Sequence, residues 1–146
     1  WLSSALETVA RILALVEERV PARHVILLGF SQGACLTLEF AARNARRYGG
    51  IAGLSGGLIG PDSTPRDYAG SLEGTPVFLG CSDVDPHIPA QRVVESSAVL
   101  EKLGGRITIK LYPGMGHEVN QDEVNQVREL MAALPHRDEV GNQADR

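Results

Sequence analysis

Ser31 stands in Gly29-Phe30-Ser31-Gln32-Gly33, directly after the apolar run Val25-Ile26-Leu27-Leu28. A serine in a G-x-S-x-G turn between a buried strand and a helix projects its hydroxyl from a sharp bend at the carboxyl end of a sheet, where acyl-transfer nucleophiles are held. Glycines on both sides let neighbouring backbone approach. The helix that opens at Gln32 aims its free N–H groups and its dipole at the same point, which favours developing negative charge. The N–H of Gln32 is the natural oxyanion donor. Alone, the pentapeptide also fits a serine that merely caps a helix, so its reading depends on partners elsewhere in the chain.

A hydroxyl is a poor nucleophile until a base takes its proton. That base is normally a histidine, oriented by an acid. The chain has four histidines. His24 opens the first strand at its amino end, the wrong end of a parallel sheet for chemistry. His136 falls in a polar tail, and His87 in the loop after the third strand. His117 closes Tyr112-Pro113-Gly114-Met115-Gly116-His117, just past the last strand, among glycines that let the loop bend towards the serine. It is the candidate base. The acid should follow another strand at the same end, and Cys81-Ser82-Asp83-Val84-Asp85-Pro86-His87-Ile88-Pro89 does so. Asp83 and Asp85 compete there, and Asp-Pro also has a plain reading as a turn starter. Ser31, Asp85 and His117 occur in the chain order of α/β-hydrolases.

The elements that must position these residues follow from periodicity and punctuation. Ser4-Ala5-Leu6-Glu7 reads as a capping box, followed by a helical stripe of Leu6, Val9, Leu13 and Val16 that ends near Arg19, before Pro21. The run from His24 to Phe30 is a strand expected to be buried on both faces. A helix from Gln32 to about Arg46, a strand from Ile51 to Leu54 and a Gly/Pro/Ser-rich loop over residues 55–74 come next. A strand from Pro76 to Cys81, a helix from Ala90 to Leu103 closed by Gly104-Gly105, and a strand from Ile107 to Tyr112 follow. A last helix starts on the capping signal Asn120-Gln121-Asp122-Glu123 and runs to about Leu134. The alternation predicts one α/β domain over residues 1–134, a mostly parallel sheet of about four strands with helices on both faces, and a frayed polar tail over 135–146.

The most apolar strand comes first and has no earlier strand to flank it. Its bare edge would be an aggregation hazard. The economical expectation is that the chain is the C-terminal part of a larger domain; a partner chain over the edge or a rearranged sheet are the alternatives, and the edge leaves homo-oligomerisation open.

Composition excludes several other classes. The formal net charge is -4 with no basic stripe, which argues against a nucleic-acid partner. No apolar run approaches the roughly 20 residues needed to span a bilayer. Cys35 and Cys81 have neither disulfide-framework nor zinc-site spacing. Both read as buried thiols of a reducing compartment, hence a cytoplasmic protein. No metal or cofactor is implied.

The motifs resemble those of the phospholipase/carboxylesterase family, which includes the acyl-protein thioesterases. Gly-Phe-Ser-Gln-Gly is that family's elbow. Its G-x-x-D-x-x-V-P stretch is matched by Ser82 to Pro89, with Ser for Gly and Ile for Val, and its Y-x-G-M-x-H stretch by Tyr112 to His117. The resemblance runs from the first helix to about Leu134. Its register selects Asp85 as the acid and leaves Asp83 as a neighbour. It implies an α/β-hydrolase fold and a serine ester or thioester hydrolase acting on a small-molecule substrate. It also implies further strands upstream, with an H-G-x-G-type loop supplying a second oxyanion N–H; losing one such donor costs roughly 10²–10³ in rate. Leu58 and Ile59, in the long loop, are candidates for the acyl pocket. Two rival readings are an inactive fragment or pseudoenzyme lacking part of the oxyanion hole, and a doubly wound module holding a phosphate at the Gly29–Gly33 turn. No G-x-x-x-x-G-K-[ST] supports the latter.

Overall fold

The computed structural model describes residues 1–135. Four strands, β1 (Ile26–Phe30), β2 (Gly50–Leu54), β3 (Pro76–Ser82) and β4 (Arg106–Tyr112), form one parallel sheet in the order β1-β2-β3-β4. Leu28 pairs with Ala52, Ala52 with Phe78 and Phe78 with Thr108, so alternate residues of all four strands share a face. Helices α1 (Leu2–Glu17), α2 (Gln32–Arg43) and α3 (Ala90–Lys102) lie on one face, and α4 (Gln121–Ala132) on the other. The two helical crossovers, β1-α2-β2 and β3-α3-β4, run in the same direction across the sheet, and a common right-handed sense puts both helices on one side.

Residues 27, 51, 77, 79 and 81 point into the larger core, where they meet Leu13, Leu38, Phe40, Val93 and Leu100. Residues 52, 54 and 78 point the other way, against Val127 and Leu130 of α4. β2 is buried throughout, as befits a central parallel strand.

Among the described residues β1 is an edge strand, as the strand count predicted, and it is not buried on both faces. Leu28 is 51% exposed and Phe30 42%: α4 packs on β2 and β3 and bonds to β4 through Asp122, and the cluster it forms does not include these two β1 residues. The first helix also departs from expectation. It starts at Leu2, so Ser4 lies within the helix and no side-chain cap forms; Val16 faces solvent while Leu13 is buried. α2 stops at Arg43 rather than Arg46, because Asn44 leaves helical geometry and its side chain bonds back to the Phe40 carbonyl. The second capping signal forms in full: Asn120 Oδ1 accepts from Glu123 N–H at 2.8 Å and Glu123 Oε2 from Asn120 N–H at 3.0 Å. The polar tail and His136 lie, from residue 136 on, outside the described residues. No helix among the described residues is long and apolar enough to cross a membrane.

Candidate active site

The loops that leave β1, β3 and β4 all emerge at the carboxyl edge of the sheet, and each carries one candidate residue. Ser31 sits between β1 and α2 with φ 55° and ψ -120°. This left-handed backbone is strained for a side-chain-bearing residue, at a cost on the order of 1–3 kcal/mol. The turn is held by Ser31 N–H bonding to the Leu54 carbonyl at 2.9 Å and by Cys35 N–H bonding to the Ser31 carbonyl at 3.1 Å. That second bond is the first of the helix, so the N–H of Gln32 lies in the first turn without an intrahelical partner. The two glycines of the motif are not equivalent. A Cβ on Gly29 would overlap Gly33 backbone and sit 2.6 Å from Ala34 N, whereas a Cβ on Gly33 would meet nothing within 4 Å. Only Gly29 is demanded by close backbone approach.

His117 Nε2 lies 2.8 Å from Ser31 Oγ, and His117 Nδ1 lies 2.8 Å from Asp85 Oδ2. A carboxylate on Nδ1 means that this nitrogen carries the proton, which leaves Nε2 free to accept from the serine hydroxyl. The imidazole is flanked by Phe30, with ring centroids 5.1 Å apart, and by the edge-on ring of His87 at 4.8 Å. The Asp85 side chain is fully buried, and that of His117 is 19% exposed. Burial raises the Asp85 pKa. The bond from His117 and the backbone N–H groups of Ile88 and His87 outweigh it and hold the carboxyl below its ordinary value of 3.8. Those two N–H groups reach Asp85 Oδ1 at 2.8 and 2.7 Å. The Cys81 thiol lies 3.8 Å from Asp85 Oδ2. Its burial, then the Asp85 charge, push its pKa up to about 11, so it stays a neutral thiol beside the carboxylate.

The depressed Asp85 pKa has a consequence for stability. A carboxyl whose folded pKa lies below its unfolded one adds stability above the unfolded value and loses it as pH falls through the folded value. Asp85→Asn should therefore melt below the wild type above pH 3.8, with the gap closing on further acidification. Thermal melts across that range check this; a gap independent of pH would contradict it.

Beside Ser31 opens a cleft of about 570 Å³, lined among others by Gln32, Cys35, Leu58, Ile59, His87 and Ile88. Leu58 and Ile59 thus border it, although Leu58 is almost wholly buried at 2% exposure. Cys35 is only half-buried, contrary to the sequence expectation for both thiols; Cys81 alone is fully buried. The cleft wall over residues 58–60 has no regular structure, yet side chains bind its backbone. Ser96 Oγ accepts from Leu58 N–H and Glu39 Oε2 from Ile59 N–H, at 2.8 and 3.0 Å. Arg92 donates to the carbonyls of Leu58 and Gly60, and Arg66 to that of Ile59. Glu39, Arg92 and Ser96 escaped the sequence reading because their partners lie 20 to 38 residues away. The one local signal was an acid, Glu39, at helical spacing from Arg43, which usually marks a solvated pair and here is a buried carboxylate. Among the described residues, no group of three or more His, Cys, Asp or Glu gathers to hold a metal ion.

Residues 3–134 match the phospholipase/carboxylesterase family model. The chain is 34% identical over 115 residues to acyl-protein thioesterase 1 of Gibberella zeae, covering 77% of this chain and 48% of that protein. It is 26% identical over 129 residues to carboxylesterase SOBER1 of Arabidopsis thaliana, covering 86% and 57%. The crystal structure of a phospholipase/carboxylesterase from Dyadobacter fermentans superposes with a TM-score of 0.85 at 42% identity, over 90% of this chain and 63% of that one. The chain spans about half the length of these curated relatives. With its parallel sheet and helices on both faces, the fold is of the α/β-hydrolase type, and the chain belongs to the phospholipase/carboxylesterase family.

Proposed function

We propose that the protein containing this chain is a serine hydrolase of carboxylic esters or thioesters, acting through Ser31, His117 and Asp85. The observation that carries this reading is the continuous relay at 2.8 Å from Ser31 Oγ to His117 and from His117 to Asp85. His117 Nε2 takes the hydroxyl proton as Ser31 Oγ bonds to the acyl carbon, and Asp85 stabilises the imidazolium that results. The tetrahedral oxyanion is bound by Gln32 N–H at the start of α2. As the acyl–oxygen or acyl–sulfur bond breaks, the imidazolium returns its proton to the leaving alcohol or thiol. Water deprotonated by His117 then attacks the acyl-enzyme, and the acid leaves with Ser31 restored. Leu58 and Ile59 border the cleft that would take the acyl chain, and residues 1–134 act as one domain in this reading.

The family and the named relatives support the ester and thioester class. The test uses this chain and a form extended at its N-terminus. A fluorophosphonate should label Ser31, and short-chain p-nitrophenyl esters should be cleaved, in each case only with the serine present. Equal hydrolysis by the extended wild type and by its Ser31→Ala variant would end the hydrolase reading.

A further inference from the structure

Two acids lie two residues apart in the loop after β3, and only Asp85 touches the imidazole. Asp83 has a different partner. Its Oδ1 accepts from Gly114 N–H at 2.8 Å, across 31 residues of sequence, and its own N–H bonds to the Tyr112 carbonyl at 3.1 Å. The adjacent Ser82 is fully buried; its hydroxyl donates to the Met115 carbonyl and accepts from Val84 N–H at 3.1 Å. Consecutive residues at the end of β3 therefore grip Gly114 and Met115, in the bend of the loop that ends in His117. Gly114 has φ +64°, so the chain reverses there, and the direction in which it departs depends on what holds that residue. Beyond His117, the Asn120–Glu123 capping box anchors the chain to α4. The histidine is carried on a short span fixed at both ends.

Resting on the hydrolase reading, we propose that Asp83 is a positioning residue for His117: by holding Gly114 it fixes the turn from which the imidazole is delivered to Ser31. The two acids divide the work. Asp85 orients the ring, and Asp83 holds the backbone that carries it. What Asp83 contributes is an acceptor at one point, because its partner is a neutral N–H. Asparagine at this position supplies the same carbonyl oxygen; alanine supplies none. Asp83 is exposed, so removing its side chain opens no cavity in the core.

A base displaced by about 1 Å can lose on the order of 10²-fold in rate. Asp83→Ala should therefore lower kcat by about 10- to 100-fold with KM unchanged, and slow fluorophosphonate labelling of Ser31 by a similar factor. Asp83→Asn should restore most of both rates. The measurements are steady-state ester hydrolysis and labelling kinetics on the N-terminally extended protein, with thermal melts to show that each variant is folded. A folded Asp83→Ala with wild-type kcat overturns the proposal and leaves the hydrolase reading intact. A rise in KM at unchanged kcat overturns it too, since it would mean substrate contact. Failure of Asp83→Asn to rescue would assign the effect to charge and not to the turn. Wild-type rates no higher than those of Ser31→Ala would sink both readings together.

Discussion

His117→Ala should lower kcat for ester hydrolysis by about 10⁶, and adding Ser31→Ala to it should cost almost nothing more. The physical ground is that in the proposed mechanism Ser31 and His117 act as one unit. The hydroxyl is only as nucleophilic as the base that removes its proton, and Nε2 at 2.8 Å is the only imidazole nitrogen bonded to it among the described residues. Once either partner is gone, the other has no task. Asp85→Ala should cost less, about 10⁴, because the imidazole keeps its reach to Ser31 and loses the group that sets its tautomer and stabilises its charge. Steady-state rates of the single variants and the double variant, measured on the N-terminally extended protein, check this. Additive losses, with the double variant slower than either single by the full product, would mean that Ser31 and His117 contribute independently, and the relay would then be wrong.

Gly29→Ala should destabilise the fold by about 3 kcal/mol or more, while Gly33→Ala should be close to neutral. The contrast is sharp because both glycines belong to the same pentapeptide. A methyl on Gly29 is driven into the backbone of Gly33 and Ala34, which are the first turn of α2 and cannot move without tilting the helix off β1 and β2. A methyl on Gly33 points into open space, and alanine is the better helix former. Denaturant unfolding midpoints report both. Equal, small effects would mean that the elbow relaxes more easily than its packing implies; a large Gly33→Ala effect would mean that something not present among the described residues covers that face.

Much of the layout was legible in the chain. Four strands and four helices could be read from apolar runs, Gly/Pro punctuation and one true capping box, because those signals are local and the structure near them obeys local rules. The misreadings have equally local causes. Ser4 looked like a cap, but the helix begins two residues earlier, so its backbone is already helical. Cys35 looked buried by residue type, but it sits one turn below Ser31 on the helix face that borders the cleft. β1 looked like a strand covered on both sides, but among the described residues no helix covers Leu28 and Phe30.

The candidate residues divide in the same way. By itself the sequence determined that Ser31 stands at a strand-to-helix turn and that His117 and an aspartate follow later strands at the same sheet end. A parallel sheet delivers every strand's exit loop to one edge, so chain order alone reveals which loops share it. The residues of the loop after β3 left Asp83 and Asp85 level, and only the resemblance to a family chose between them. The tertiary structure decided their separate places, one on the imidazole and one on the Gly114 amide. It also decided that Glu39, Arg92 and Ser96 hold the cleft wall. Those contacts join residues 20 to 38 positions apart, and their ångström-scale distances are set by the pairing register of β3 with β4 and by helix packing across the sheet. No short stretch of sequence encodes either.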